Sequence, residues 1–479
     1  MDINHNFVCA YRSRNLILSF MVLTHRETAD QLLGAGSRGQ VIYPGDALFD
    51  PARKVFNGLI DRRPLAVIRC AGVQDAVRCI EFARRHDLPL TIRGGAHSVA
   101  GNAVRDNALM LDLSGMKGIQ VNPDTKTVRA EPGLTLGEFD RATQGFGLAT
   151  TLGVVSTTGI AGLTLGGGLG WLNGRYGLAC DNLISAELAT ADGRLLRASE
   201  QQNEDLFWAI RGGGGNFGVV TAFEYRLHPV SRVFAGGLSY PLSMAARVLQ
   251  FYDDFVKTAP DQLATAVALA RAPDGQPTVT IGLCYCGPAE EGERALRPLR
   301  TFQPAVDDSI QAMPYVVLQS SRDEGFPFGR LHYWKSGWLR HLSNDAIETL
   351  MEFVPRMPSS VSAVGLQRMH GVASRVAPSA TAFAHRAAQY DFLILSQWSD
   401  AADTARNVQW TRALFEAMQP HLEKSVYVNN LGDEGPERVQ AAYGENYSRL
   451  VAIKRTYDPD NVFRANQNID PAAHLLDLP

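Results

Sequence analysis

The chain has 479 residues, of which 45% are hydrophobic and 20% charged, and a formal net charge of −3. That length exceeds what a single hydrophobic core organises, so two or three domains are expected. The balanced charge, with no basic stripe, gives no footprint for a nucleic-acid partner.

At the N-terminus Arg12 and Arg14 precede the apolar run 16–23, which faintly resembles a signal peptide. The run is short and no small-residue cleavage site follows, so Met21 is the expected start, with residues 1–47 an extension and lead-in. No other stretch approaches a membrane span. Cys9, Cys70, Cys79, Cys180, Cys284 and Cys286 are too scattered for a disulfide framework or a zinc site. They read as reduced, buried thiols in a cytoplasmic protein that binds no metal.

Residues 64–93 have the pattern of a βαβ unit: an apolar strand, then Val73, Ala76, Val77, Ile80 and Ala83 at helical spacing, then the strand 89–93. That strand runs into Arg93, Gly94, Gly95, Ala96, His97 and Ser98. Two adjacent glycines let backbone N–H groups approach a ligand closely, and a histidine where the chain leaves a strand is well placed for chemistry. Residues 109–113 are a further strand, and 121–128 two strands joined by a Pro-Asp turn. A short helix is expected over 135–146, and a hairpin over 184–196 turned at Asp192-Gly193. Between them lies a second glycine cluster, 159–170. Residues 203–210 read as a capped helix, followed by a strand at 219–227. From about residue 236 glycine thins out. Amphipathic helices (243–257, 343–354, 402–419) then alternate with strands such as 278–284 and 391–397, the pattern of an antiparallel sheet covered by helices. Cys284 and Cys286 are expected on one strand face. Residues 458–469 are polar and loop-like.

The glycine clusters invite a dinucleotide-binding reading. A G-x-G-x-x-G fingerprint, however, must directly follow a first strand and open a helix, and Gly166 to Gly170 lie deep in the chain without a clean strand before them.

Residues 48–230 instead resemble the FAD-binding domain of the vanillyl-alcohol-oxidase superfamily, specifically the berberine-bridge-enzyme-like oxidases. The segments that carry the resemblance are 93–98, 159–170, 176–182, 191–193, 205–213 and 216–220, with a closing run from Tyr443 to Ile469 and looser matches at 333–336 and 382–386. The resemblance implies an α+β fold: a two-part PCMH-type FAD-binding domain over 48–235, a substrate domain over 236–425 and a segment 426–479 returning to the first domain. It implies FAD held by Arg93, Gly94, Gly95, Ala96, His97, Ser98, Gly153, Thr157, Thr158, Gly159, Gly162, Leu163, Gly166, Gly167, Gly170, Val219, Asn429, Asn466 and Asn468. His97 takes the position bonded to the flavin 8α carbon, and a neutral imidazole can act as that nucleophile. Many members carry a second, cysteinyl link, but Val155 stands at that position, so one covalent link is expected, as in the branch containing 6-hydroxy-D-nicotine oxidase. Cys180 belongs to a different motif.

The implied activity is hydride transfer from a small organic substrate (a natural-product intermediate, alkaloid or alcohol) to the flavin, with dioxygen returned as hydrogen peroxide. Thr158 holds the position where the family controls oxygen access. Sugar- and alcohol-oxidising relatives use a tyrosine base where this chain has Asn430, and an amide is no base at neutral pH. Either another residue deprotonates the substrate, with Tyr333, Lys335 and Tyr427 the candidates, or none is needed, as for an amine already neutral; His385 and Arg386 are expected to shape the substrate sheet. Two other functions fit the sequence: a flavin-bearing drug-binding protein without turnover, and a dehydrogenase passing electrons to another acceptor.

Overall fold

The structure is a computed structural model that describes residues 32–473 apart from 35, 273 and 433. The apolar run 16–23, Met21 and Cys9 lie outside the described residues. Three large sheets and a two-stranded ribbon organise the described residues.

The first sheet contains β1 (Gln40–Ile42), β2 (Ala66–Arg69), β3 (Leu90–Arg93) and β4 (Leu109–Asp112), in the order β1-β2-β4-β3. β2, β4 and β3 run parallel and β1 pairs antiparallel at the edge. Between β1 and β2 lies α1 (Phe49–Arg53); α2 (Val73–Arg85) makes the crossover from β2 to β3 that parallel strands require. Ala76, Val77, Ile80 and Ala83 of α2 are buried in the same cluster as Ile68, Leu90 and Leu111, so the helical spacing read from the sequence is the packed face. The βαβ unit is present, with β4 inserted between its two strands.

The second sheet is antiparallel, with β5 (Ile119–Asn122), β6 (Thr127–Ala130), β8 (Leu183–Ala189), β9 (Leu195–Ser199) and β10 (Val219–Arg226) in the order β5-β6-β10-β8-β9; the short β7 (Leu148–Ala149) pairs with β11 (His228–Pro229) instead. The Pro-Asp turn and the Asp192-Gly193 hairpin both form, with Gly193 at φ 82°. α3 (Leu136–Gln144) begins with a capping box: Thr135 Oγ1 accepts from the Glu138 backbone N–H, and the Glu138 carboxylate accepts from the Thr135 N–H. Three short helices follow, α4 (Ile160–Leu165), α5 (Asn173–Tyr176) and α6 (Glu204–Ile210). Asn203 is not the side-chain cap of α6 that its residue type predicts. It sits in the left-handed region at φ 51°, which asparagine tolerates, and its amide donates to the Arg197 carbonyl at 2.7 Å.

The third sheet has eight antiparallel strands: β12 (Arg232–Pro241), β13 (Leu263–Arg271), β14 (Pro277–Tyr285), β15 (Asp307–Asp308), β16 (Gln311–Pro314), β17 (Leu331–Leu339), β18 (Ala363–Met369) and β19 (Gln389–Trp398). Its main order is β15-β12-β14-β13-β18-β19-β17, with β16 beside β12. Helices α7 (Ala245–Lys257), α8 (Ala289–Phe302), α10 (Asn344–Phe353) and α12 (Thr404–Met418) cover one face; α9 (Tyr315–Ser320) and α11 (Val372–Arg375) lie outside that layer. Successive residues of a strand point to opposite faces. Val267, Leu366, Phe392 and Ile394 therefore pack under the helices, while Ala266, Ala268, Gly365, Asp391, Leu393 and Leu395 turn to the other side. Cys284 and Cys286 are buried in one cluster with Trp171, Ala264 and Tyr315.

After the third sheet the chain returns. α13 (Pro436–Tyr443) and α14 (Tyr447–Tyr457) bury Val439, Tyr443, Leu450 and Val451 against Phe207 and Trp208, in the core of the second sheet. The Lys454 ammonium is fully enclosed and paired to Asp458 at 2.6 Å. It also donates to the Asn216 and Phe463 carbonyls, which fixes the irregular segment 458–469 against the glycine-rich turn at 212–216. Burial pulls the Lys454 pKa down, and Asp458 opposes that.

Candidate active site

The free face of the third sheet and the glycine loops enclose a cavity of about 420 Å³. One wall is backbone. The loop 94–98 meets the turn at 158–159 so closely that a Cβ on Gly95 would stand 2.4 Å from the Gly159 nitrogen. The two glycines are required because the loops join there, not only at a ligand. Ala96 occupies φ 53°, an unfavourable setting for a residue with a Cβ, and its carbonyl accepts from the Phe56 N–H at 3.0 Å. Gly162 and Gly215 present open backbone, with nothing within 4 Å of where a Cβ would be.

His97 lines this wall. Its imidazole stacks on Phe56 at 4.0 Å between centroids, and the other face of Phe56 carries His332 at 4.4 Å. Thr157 Oγ1 lies 3.4 Å from His97 Nε2. Burial drives the His97 pKa down to about 4, so the ring is neutral at physiological pH with a nitrogen lone pair available. Phe56 and His332 were not legible as site residues, because both are distant in sequence from the loop they support.

Of the residues the sequence assigned to the cofactor, Gly94, Gly95, Ala96, His97, Ser98, Gly153, Thr158, Gly159, Gly162, Leu163, Gly166, Val219, Asn429 and Asn466 line the cavity. Arg93, Thr157, Gly167, Gly170 and Asn468 are not among the residues that line it. Arg93 binds the Ala52 carbonyl and faces Asp112 at 3.7 Å, a structural role. Gly167 and Gly170 are glycines for packing: a Cβ would strike the Phe383 ring at 2.7 Å and the Leu152 carbonyl at 1.6 Å. The buried Oδ1 atoms of Asn466 and Asn468 have no hydrogen-bond partner among the described residues. With the open glycine backbone, the orphaned acceptor of Asn466, which lines the cavity, fits a ligand that brings its own N–H or O–H donors, as FAD does.

The three candidate bases separate. Tyr427 lines the cavity, but its phenol oxygen accepts from the Gly168 and Leu169 N–H groups (2.9 and 3.2 Å) and from Asn429 Nδ2 (2.8 Å). Burial holds its pKa up at about 12, so it anchors the 166–170 turn in the neutral form. Tyr333 and Lys335 are turned away. Trp334 of β17 faces the cavity, and the strand's period of two sends its neighbours to the helical face. There Tyr333 accepts from Arg412 at 3.1 Å, and Lys335 pairs with Glu434 at 3.0 Å. His385 and Arg386 precede β19: His385 contacts the Ala441 carbonyl at 3.0 Å, and Arg386 donates to both Asp181 oxygens at 2.8 Å.

The sequence reading missed Asp391. Its carboxyl group lines the cavity, accepts from Asn430 Nδ2 at 2.7 Å through Oδ2, and leaves Oδ1 unpaired among the described residues. Burial pushes its pKa up to about 7. The signal was an acid at the head of the apolar run Phe392-Leu393-Ile394-Leu395. The residue standing where relatives carry a tyrosine, Asn430, now supports a carboxylate. Val155 lines the cavity, whereas Cys180 is fully buried beside Asp181 and Arg386 with its thiol pKa driven up.

Comparison with known proteins agrees with this arrangement. Residues 64–199 match the family described as "FAD binding domain", and 426–470 match "Berberine and berberine like". An FAD-linked oxidoreductase of Dictyostelium discoideum is 34% identical over 412 residues, covering 85% of this chain and 89% of the relative. The (R)-6-hydroxynicotine oxidase of Paenarthrobacter nicotinovorans is 31% identical over 445 residues, covering 91% and 97%. The crystal structure of 6-hydroxy-D-nicotine oxidase from Arthrobacter nicotinovorans superposes with a TM-score of 0.84 at 30% identity, covering 91% of this chain and 98% of that one. The fold and its glycine-lined cavity thus define a flavoprotein oxidoreductase of the PCMH type. Within that class, the chain belongs to the berberine-bridge-enzyme-like FAD-linked oxidoreductases.

Proposed function

We propose that the protein is an oxidase of a small organic alcohol or amine, with FAD attached to His97 alone. The observation that carries the reading is the pairing of a neutral His97 on the glycine wall with a buried, half-satisfied Asp391 on the sheet wall of one apolar cavity. FAD, when bound, supplies a hydride acceptor and the onward transfer of two electrons to dioxygen, giving hydrogen peroxide. The rest is the work of this chain. Gly95, Gly159 and Gly162 bring backbone against the cofactor; His97 offers a ring nitrogen for the 8α bond; Val155 offers no thiol for a second. Leu393, Leu395 and Trp334 exclude water from the substrate. Asp391 Oδ1 takes the proton of the substrate hydroxyl or ammonium group, while Asn430 holds the carboxylate in place through Oδ2. Thr158 leaves space at the cavity wall for dioxygen.

The test is peroxide release by the flavin-loaded protein on a panel of alcohols and amines. The reading expects stoichiometric peroxide with at least one class. A flavin that substrate reduces but air reoxidises only slowly contradicts the oxidase and favours a different electron acceptor.

A further inference from the structure

Among the described residues, two charged side chains line the cavity, Asp391 and Arg322. Arg322 follows α9, and its side chain makes no hydrogen bond or ion pair among the described residues. Its neighbour Asp323 is already engaged, accepting from the Ser156 N–H at 2.8 Å. The guanidinium is nonetheless held in place. It lies 4.6 Å over the Trp171 ring, and Gly282 of β14 makes room for it, since a Cβ there would stand 3.0 Å from Arg322 Nη2. Enclosure lowers its pKa to about 10, which leaves it a cation at neutral pH, and no acid offsets that cost. A cation kept in an apolar cavity without a partner is expensive unless a ligand supplies the counter-charge.

The sheet register fixes where that counter-charge would sit. Asp391 pairs across to Gln367, Gln367 to Ala266, and Ala266 to Gly282, so Asp391 and the seat of Arg322 lie in one cross-strand row. Three strand spacings separate them, roughly 14 Å along the sheet. Gln367 and Ala266 form the cavity floor between the two ends.

We propose that the site is built for an elongated organic anion, whose carboxylate seats on Arg322 while its oxidisable carbon lies toward Asp391. A planar guanidinium matches a carboxylate with two parallel N–H···O bonds, and both gain strength where water is excluded. The inference rests on the oxidase reading for the role of the Asp391 end, but not for the anion seat itself.

The seat can be tested with trans-cinnamate and its neutral isostere cinnamamide, titrated calorimetrically into the full-length, flavin-loaded protein. Cinnamate is expected to bind at least about tenfold more tightly, the scale of one charge-assisted pair. Arg322→Met is expected to abolish the preference, and Arg322→Lys to retain part of it. Equal affinities in the wild type, no binding of either probe, or a preference that survives Arg322→Met would each overturn the proposal. So would an Arg322→Met protein whose flavin absorbance shifts while the cinnamate preference stays, because Arg322 would then serve the cofactor. The wild-type comparison stands even if Arg322→Met fails to fold. Calorimetry needs no turnover, so a protein that prefers cinnamate but releases no peroxide keeps the anion seat and loses the oxidase reading.

Discussion

At the scale of single residues, the chemistry rests on what burial does to two titratable groups. Desolvation disfavours the charged form of each, which makes the imidazole of His97 a free base and the carboxyl of Asp391 an acid of pKa about 7. A base must be ionised to take a proton, so kcat/KM should rise with pH through an apparent pKa near 7. Asp391→Asn should lower kcat by about 10²-fold or more and remove that ascending limb. A variant that keeps the limb would place the base elsewhere. The opposite outcome is expected on the far face of the strand. Tyr333→Phe should leave kcat/KM within about twofold, and Lys335→Met should lower stability by leaving Glu434 with only Arg438, at 3.3 Å, without a fall in kcat. A hundredfold loss of kcat in either would contradict the placement of these side chains outside the cavity.

At the scale of elements, the glycine loops were legible and the substrate sheet was not. Gly94-Gly95 beside His97, and the run from Gly159 to Gly170, are local signals, and backbone approach is a local property. The sequence could not separate glycines that face the cavity from Gly167 and Gly170, which are small only because Phe383 and a carbonyl of Leu152 pass close by. On the sheet, function depends on which face a residue presents, and that follows from register across strands far apart in sequence. Tyr333 and Lys335 sit one residue either side of Trp334, which lines the cavity, and the pleat turns both of them to the opposite face. Asp391 was hidden for the converse reason: its partner Asn430 lies 39 positions away. The contact between Gly95 and Gly159 gives a prediction at this scale. Gly159→Ala places a methyl group 2.5 Å from the Gly95 nitrogen, against backbone that cannot swing aside. It should cost about 1–3 kcal/mol in denaturant unfolding and weaken flavin retention. Unchanged stability with full flavin content would show that the loops separate freely.

At the scale of the whole molecule, an α+β flavoprotein with an antiparallel sheet covered by helices was readable because the family's motifs are spread along most of the chain. The packing of α13 and α14 against Phe207 and Trp208, and the buried Lys454–Asp458 pair, hold in place the segment 458–469, which reads as polar loop and brings Ala465, Asn466 and Gln467 to the cavity. Among the described residues no helix is long and apolar enough to cross a membrane. Buried titratable groups also set how global stability depends on pH. His228, His332 and His370 are held down to about 4, 3 and 4 and His385 is lowered, so below about pH 6.5 the unfolded chain binds protons that the folded chain does not. Stability from these groups is present above that pH and lost on acidification. Asp140 and Asp391, both raised to about 7, act with the opposite sign: their contribution is present below pH 4 and lost as pH rises through 7. The imidazoles outnumber the carboxyls, so the melting temperature should climb from pH 5 to about 6.5 and then level or fall; a steady decline from pH 5 upward would contradict these assignments.

The central claim, one flavin held covalently by His97, is tested most directly by acid denaturation followed by mass spectrometry of the proteolysed protein. The flavin is expected on the peptide containing His97 and on no other, with His97→Ala yielding protein whose flavin leaves in the acid supernatant and Cys180→Ala unchanged. Flavin released intact from the wild type, or found on a cysteine-containing peptide, would contradict the account.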